Sequence, residues 1–439
     1  MVKDVVSVKY KEHDVGAASF NTETGIGSFE FEPRFIKTGI ELSPIKMPLS
    51  PKIYSFPEAD PAAFNGLPGM LADSLPDDFG NAVLNAWIAS QGKLPADITP
   101  IQRLRYTGKR GMGALTYHPA TQIKNLNVSQ HIEIQSLVSI AQEILDKRER
   151  FRIDLGAQGE EDKEAMMELL SVGVSAGGAR PKAILAFNDD FTQVRSGQTD
   201  VPEGFTHFIM KFDGVSEHNK DKETFGDPMG YGTMEYVYHL MAKECGIEMM
   251  PCRLLDEGNR RHFITQRFDR DGNEKRHVQT LNGLAHVSYK KAGLYSYAEL
   301  FTIARELKLS SDDAMQIFKR MVFNIVARNH DDHSKNFGFM LDDQYHWQLA
   351  PAYDLVYSYK PKSYWVGSHW MKLNGKRDNF TREDFYSLGK LSSLFSKHKI
   401  DQIIDETTEH VSKWNGLAAE NGVPHSLIEL IGSNLRLTI

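Results

Sequence analysis

The 439-residue chain carries 51 Lys and Arg against 58 Asp and Glu, a formal charge of −7 that argues against a wholly basic nucleic-acid binder. Hydrophobic residues make up 41% and charged residues 25%, the balance of a folded protein of two or three domains rather than a disordered one. Cys245 and Cys252 are too few for a disulfide framework or a four-cysteine zinc site and are expected as buried thiols. With no membrane-length apolar stretch and no signal-peptide run, the chain reads as cytoplasmic with no membrane contact.

Residues 1–125 read as a small mixed subdomain. Residues 5–10 alternate weakly, and Phe29, Phe31 and Phe35 recur at strand period within 28–35. The run 66–77 (GLPGMLADSLPD) reads as a turn, a short apolar helix and a cap. Residues 126–270 form a second segment. A helix is expected over 129–150, with Ile132, Leu137, Ile140, Ala141 and Ile144 on one face. Lys147, Arg148 and Arg150 sit at its C-terminal end, where the helix dipole favours cations. An acid- and Gly-rich loop then leads to 171–182 (SVGVSAGGARPK) and a strand over 183–187. Glycines with one Ser and one Lys can turn backbone N–H groups toward phosphate. The run fits neither standard phosphate-loop pattern, and taken alone it reads as a plain hairpin turn.

Lys211 lies inside the apolar strand 208–212. A helix follows, capped by Thr233, buried along Val237, Leu240 and Met241, and closed by Gly246. Glu235 in its first turn can reach back toward Lys211. Residues 262–270 read as another strand. From 271 to 439 the pattern is largely helical, with helices expected over 297–307, 312–328 and 399–415, and a hairpin over 337–341 and 345–349.

The helix over 312–328 delivers the stretch 328–336 (RNHDDHSKN), and 349–355 (LAPAYDL) follows the hairpin. Asp331 and Asn336 are spaced Asp-x4-Asn, with Asp354 beyond. Phosphoryl transfer uses such a set, one carboxylate for the acceptor hydroxyl and an amide oxygen with a second carboxylate for Mg²⁺. His330-x-x-His333 with its flanking acids also admits a transition metal, as in a metal-dependent phosphohydrolase, and a plain polar loop would explain a lone Asp-x4-Asn. Glycine loop, strand Lys, helix Glu, Asp-x4-Asn, hairpin and Asp occur in the order a kinase needs, which favours the kinase reading.

With residues 66–77, 110–115 (RGMGAL), 175–182, 266–270 (QRFDR), 331–336 and Tyr353-Asp354 together, the chain resembles the HipA family of bacterial serine/threonine kinases, the toxins of HipBA toxin–antitoxin pairs. The resemblance implies an α/β (α+β), two-lobed protein-kinase-like fold with the small N-terminal mixed subdomain and a largely helical C-terminal lobe. It implies Asp331 as catalytic base and Asn336 with Asp354 as Mg²⁺ ligands. ATP contacts are implied for Ala176, Gly177, Gly178, Ala179, Arg180, Lys182, Lys211, Gln266, Arg267, Phe268, His333, Lys335, Asn336, Tyr353 and Asp354, with Glu235 as a structural ion-pair partner. Ser175 falls at the family's regulatory autophosphorylation serine. The implied partners are a protein with a Ser or Thr acceptor, a helix-turn-helix HipB-like antitoxin and, through it, operator DNA. A catalytically silent antitoxin-binding co-repressor is the alternative. Gln266 stands where a hinge Glu is expected, and 353–355 lacks the Gly of Asp-Phe-Gly. Asp332 adds a charge for Mg²⁺ or Lys335 to balance. Lys372, Lys376, Arg377 and Arg382 form a modest basic patch that fits phosphate contact or a solvated face equally.

Overall fold

A computed structural model describes residues 4–123, 131–147, 170, 180–216 and 226–439. They divide into two compact units, one made of residues 1–42, 49–232 and 251–278, the other of 43–48, 233–250 and 279–439. Among the described residues no helix is long and apolar enough to cross a membrane.

The first unit holds two five-stranded antiparallel sheets. β1 (Asp4–Tyr10), β2 (His13–Asn21), β3 (Ile26–Phe31), β4 (Tyr54–Ser55) and β5 (Leu115–His118) assemble in the order β4-β3-β2-β1-β5. The strand expected over 28–35 stops at Phe31, because Pro33 opens a short helical turn that carries Phe35 instead. β2 has no counterpart in the sequence reading. Gly16 is required in it, since a Cβ there would lie 2.1 Å from the Glu30 carbonyl oxygen.

Helix α1 (Asp78–Ser90) is capped by the Asp77 carboxylate, which accepts from the Gly80 N–H at 2.5 Å; α2 (Pro100–Thr107) opens with a capping box from Thr99 and Gln102. The helix expected over 129–150 is α3, Ile134–Lys147, and Ile132 precedes it; 129, 130 and 148–150 lie outside the described residues. The second sheet comprises β6 (Lys182–Asn188), β7 (Val194–Ser196), β8 (Phe205–Lys211), β9 (Cys252–Glu257) and β10 (Arg260–Gln266), in the order β9-β10-β8-β6-β7. Ala183, Leu185, Phe187, Phe208 and Met210 alternate onto one of its faces and bury against Phe79, Val83 and Leu84 of α1 and Leu137, Val138 and Ala141 of α3. The cross-strand row Lys182, Lys211 and Phe263 falls on the other face.

The second unit is mainly helical. α4 (Tyr231–Glu244) begins two residues before the expected Thr233 cap. Residues 231 and 232 of this helix fall in the first unit, where Asp213 Oδ1 accepts from the Gly230 and Gly232 N–H groups at 2.8 and 3.1 Å. Gly246 closes it at φ +69°, as expected. Tyr238 of α4 packs edge-on against Trp414 and donates its hydroxyl to the Ala327 carbonyl at 2.8 Å. α5 (Tyr297–Glu306), α6 (Ser311–Val326), α7 (Lys397–Ser412), α8 (Trp414–Glu420) and α9 (His425–Asn434) complete the helices, with Phe395 stacked on Phe318 of α6. β11 (Gly338–Leu341) and β12 (Trp347–Leu349) form the expected hairpin. Cys245 and Cys252 are each half-buried rather than buried.

Burial holds His207, His239, His262 and His277 neutral, each pushed down to about 4. In the unfolded chain these rings regain the ordinary value of about 6.5 and take up protons first, so stability is complete above that value and is lost as pH falls toward 4. The unfolding free energy from urea denaturation is therefore expected to be lower at pH 5 than at pH 7.5, by on the order of 1 kcal/mol per histidine, with a lower midpoint. Equal midpoints would contradict this assignment.

Candidate active site

The second unit contains the Asp-x4-Asn stretch. α6 starts from a capping box between Ser310 and Asp313 and ends at Val326. Arg328 then takes a left-handed conformation (φ +56°) that turns the chain, and Asn329 is fixed by donating Nδ2 to Asn324 Oδ1 at 2.9 Å. The His330 N–H bonds to the Ser358 carbonyl at 3.1 Å, and the Ser358 N–H bonds to the Arg328 carbonyl at 3.0 Å. Residues Ser334–Asn336 form one tight turn, anchored by Ser334 Oγ donating to the Val287 carbonyl at 2.6 Å.

Three bonds then join this loop to itself and to the later motif. Asn336 Nδ2 donates to the Asp331 carbonyl at 2.8 Å, the Tyr353 hydroxyl to the Lys335 carbonyl at 2.7 Å, and Asn329 Nδ2 to the Asp354 carbonyl at 3.3 Å. The β11–β12 hairpin thus returns 353–354 beside the loop, as its length suggested. Asp354 sits at φ +53°, a conformation disfavoured for residues other than Gly, Asn and Asp.

The adjacent carboxylates differ sharply. Asp331 is 42% exposed, and His333 Nε2 lies 3.7 Å from its Oδ1. The Asp332 side chain is 0% exposed. Its oxygens accept from the Tyr297 hydroxyl at 2.7 Å, the Trp370 N–H at 2.7 Å and the Met371 N–H at 3.4 Å, and pair with His369 Nδ1 at 3.0 Å. The expectation that a metal or Lys335 balances Asp332 is therefore corrected. Buried donors from α5 and from 369–371 do so, because a carboxylate removed from water must have all its lone pairs met. His330 is also buried, between Tyr359 and His369, and burial first, then the neighbouring His369, holds it strongly toward the neutral form.

Asn336 passes a test as a cation ligand. Its amide N–H group is taken up by the Asp331 carbonyl, which turns Oδ1 the other way, and no protein donor meets that oxygen among the described residues. An amide oxygen with the Asp354 carboxylate is a hard-donor pair suited to Mg²⁺, which takes its remaining ligands from phosphate and water. Among the described residues no group of three or more His, Cys, Asp or Glu is placed to hold a metal by itself.

In the first unit Lys211 is only 7% exposed, against the usual solvent-facing placement of a mid-strand lysine. It stands opposite Lys182 on β6 and over the Phe263 ring at 5.8 Å. Lys182 is buried too, with Nζ 3.4 Å from Asp77 Oδ2. Two buried lysines directly opposite repel each other, and Asp77 offsets part of the positive charge they bring to this face. Arg180 lies over the Tyr231 ring at 5.8 Å; Ser175, Ala176, Gly177, Gly178 and Ala179 lie outside the described residues.

Gln266 ends β10, and the residues after it are locked by a buried ion cluster. Arg267 donates through Nε and Nη2 to both Asp269 oxygens at 2.8 Å, Arg270 Nη1 reaches Asp269 Oδ2 at 2.6 Å, and the Gly113 N–H reaches it at 2.8 Å. Burial alone would raise the Asp269 pKa, but the two guanidinium groups hold it well below the carboxylate range. The Arg267 side chain is fully enclosed by this pairing, and its backbone N–H donates to the His207 carbonyl at 2.9 Å. Phe268 is half-buried. Glu235 is buried on α4, which belongs to the second unit.

Sequence reasoning missed Asp77, Asp213, Tyr297 and His369 as positioning residues. Asp77 alone carried a local signal, the Pro-Asp-Asp entry of a helix. In the basic patch, Lys376 pairs with Asp384 at 2.8 Å, Arg377 bonds to the His369 carbonyl at 2.6 Å, and Arg382 pairs with Asp401 at 2.7 Å and with Asp405. These groups brace their own lobe.

Against known families, residues 174–414 match the HipA-like C-terminal domain and residues 6–118 the HipA N-terminal domain. The chain belongs to the HipA family. Two curated relatives named "Putative kinase" align with it. The Haemophilus influenzae protein is 24% identical over 45% of this chain and 66% of its own length, and Y4mE of Sinorhizobium fredii is 26% identical over 26% of this chain and 30% of its own. The chain thus spans less than two thirds of either relative. A chain of the Shewanella oneidensis MR-1 toxin–antitoxin complex of HipA, HipB and operator DNA is similar in structure, with a TM-score of 0.65 over 98% of this chain and 95% of that one, at 17% identity. The shared fold is the mixed α/β, kinase-like fold of HipA proteins.

The contrast between the two aspartates is testable by urea denaturation. Asp332→Ala is expected to cost about 2–4 kcal/mol, since it strands several buried donors. Asp331→Asn should stay within about 0.5 kcal/mol of the parent protein, as an exposed substitution does. Equal costs would refute the division.

Proposed function

We propose that this HipA-family chain is an ATP- and Mg²⁺-dependent protein kinase acting on Ser or Thr. The observation that carries the reading is the exposed Asp331 carboxylate, fixed by the Asn336 amide to a loop to which Tyr353 and Asn329 tie the Asp354 segment. Asp331 orients the acceptor hydroxyl and takes its proton as the oxygen attacks the γ-phosphorus, and the bond to the ADP oxygen breaks in line. Bound through Asn336 Oδ1 and Asp354, Mg²⁺ would supply charge neutralisation on the phosphates.

On this reading Lys211 and Lys182 contact phosphate oxygens, with Glu235 the partner of Lys211. Residues 177–182 are the proposed phosphate loop, with Ala176 a further ATP contact, and Gln266, Arg267 and Phe268 the proposed adenine-contacting hinge. His333, Lys335 and Tyr353 line the nucleotide. The division proposed is 1–125 as the N-terminal subdomain, 126–270 as the nucleotide-binding lobe and 271–439 as the catalytic lobe. Ser175 is proposed as the autophosphorylated switch, since about two negative charges there would repel ATP phosphates. A HipB-like antitoxin is the proposed partner, on the strength of the similar chain solved with HipB and operator DNA. A catalytically silent co-repressor would share that partner, yet would have no use for an exposed Asp331.

The test is γ-labelled ATP with Mg²⁺, comparing the parent protein with Asp331→Asn and mapping phosphosites by mass spectrometry. The parent is expected to label Ser or Thr, Ser175 included, and the variant to lose about 10²–10⁴-fold in rate. Equal labelling of both, or none in either, would remove the catalytic reading.

A further inference from the structure

The second unit leaves large aromatic surface uncovered in the segment that follows Asp354, linked to Asp331 through the buried Trp370 ring. Tyr364 is 65% exposed and Trp365 42% exposed. Aromatic surface of this kind on a folded chain marks a place of contact more often than bulk surface does. Its position is fixed. The Trp365 ring stacks on Trp370 with centroids 5.7 Å apart and planes at 20°, and Tyr364 meets Trp365 edge-on at 5.1 Å. Trp370 donates Nε1 to the Trp365 carbonyl at 2.7 Å, and its own N–H to Asp332 Oδ1. The Trp370 ring then meets His333 edge-on at 5.9 Å, and His333 Nε2 is 3.7 Å from Asp331 Oδ1. One continuous row of rings thus runs from open surface to the exposed carboxylate.

The sequence segment that carries Tyr364, Trp365 and Trp370 has charge of one sign. From Leu355 to Arg377 there is no acidic residue, while Lys360, Lys362, Lys372, Lys376 and Arg377 are basic. Lys360 and Lys362 are exposed and without an ion-pair partner among the described residues, and they flank the turn under Trp365, where the Ser363 N–H bonds to the Lys360 carbonyl at 3.1 Å.

We propose that Tyr364 and Trp365, with Lys360 and Lys362, form a docking shelf for an acidic polypeptide segment carrying the acceptor hydroxyl. This rests on the kinase reading for the role of Asp331 and adds the chemistry of the acceptor: an apolar or aromatic anchor on the rings and carboxylates toward the lysines. A polypeptide is favoured over a nucleic acid because it can present an uncharged Ser or Thr to the Asp331 carboxylate, with its acidic residues set apart toward the lysines. Every nucleotide instead brings a phosphate that this carboxylate repels.

The test uses full-length protein with Mg²⁺ and a non-hydrolysable ATP analogue. A fluorescein-labelled peptide with one Ser among Asp, Glu and Leu is compared by anisotropy with its Lys-flanked counterpart. The acidic peptide is expected to bind at least tenfold tighter. Tyr364→Ala/Trp365→Ala should weaken it at least tenfold with nucleotide affinity and urea midpoint unchanged, and Lys360→Glu/Lys362→Glu should abolish the charge preference. Binding unaltered in Tyr364→Ala/Trp365→Ala, no preference in the parent protein, no peptide bound at all, or tighter binding of oligo(dT) would each overturn the shelf. Peptide binding as described without phosphoryl transfer would leave the shelf standing and overturn the kinase reading alone.

Discussion

The geometry of the second unit depends on a carboxylate that never meets solvent. Asp332 gathers the Tyr297 hydroxyl from α5, two backbone N–H groups from 370–371 and the His369 ring, and the Tyr297 hydroxyl also accepts from Asn324 of α6. Asn324 in turn holds Asn329, so helix, loop and the segment after Asp354 meet in one buried polar network. The matched bonds favour one arrangement of the backbone, while Asn329 Oδ1 and His369 Nε2 are buried in the network without a partner among the described residues. Asp331, the next residue back, inherits a fixed position without being buried itself. Rigid support under an exposed functional group is what a positioned base requires.

A parallel arrangement exists in the first unit. Asp269 is enclosed by Arg267, Arg270 and the Gly113 N–H, while Arg270 Nη2 also reaches the Gly111 carbonyl at 3.0 Å. The Arg-Gly-Met-Gly run at 110–113 and the Gln-Arg-Phe-Asp-Arg run at 266–270, far apart in the chain, are therefore two sides of one ion cluster. The cluster fixes the backbone beyond β10, whose neighbour β8 presents Lys211. Truncating one member of such a cluster strands buried charge, which explains why so polar a group can be structural.

How much was legible depended on whether the cause was local. Helix α6 was readable from its apolar stripe, and the β11–β12 hairpin from two short apolar runs around Asp342-Asp343-Gln344, because periodicity and turn chemistry act over a few residues. β2 was not, since Gly16-Ala17-Ala18 breaks the alternation, and the extent of β3 was overrun because Phe35 mimics strand period beyond Pro33. At the site, Asp-x4-Asn marked the loop, but nothing in Asp331-Asp332 tells one carboxylate from the other. The difference is imposed by Tyr297 and His369, more than thirty positions away on either side. The Thr233 cap failed for the same reason: Asp213 reached the helix entry from the turn after β8.

The division of labour in the Asp-x4-Asn loop is tested most directly by nucleotide affinity with and without Mg²⁺, measured calorimetrically in Asp331→Asn, Asn336→Ala and Asp354→Ala. If Asn336 and Asp354 hold the metal and Asp331 serves the acceptor, Asp331→Asn keeps the full Mg²⁺-dependent gain in ATP affinity and the other two lose it. Loss of that gain in Asp331→Asn, or its persistence in both Asn336→Ala and Asp354→Ala, would contradict the account.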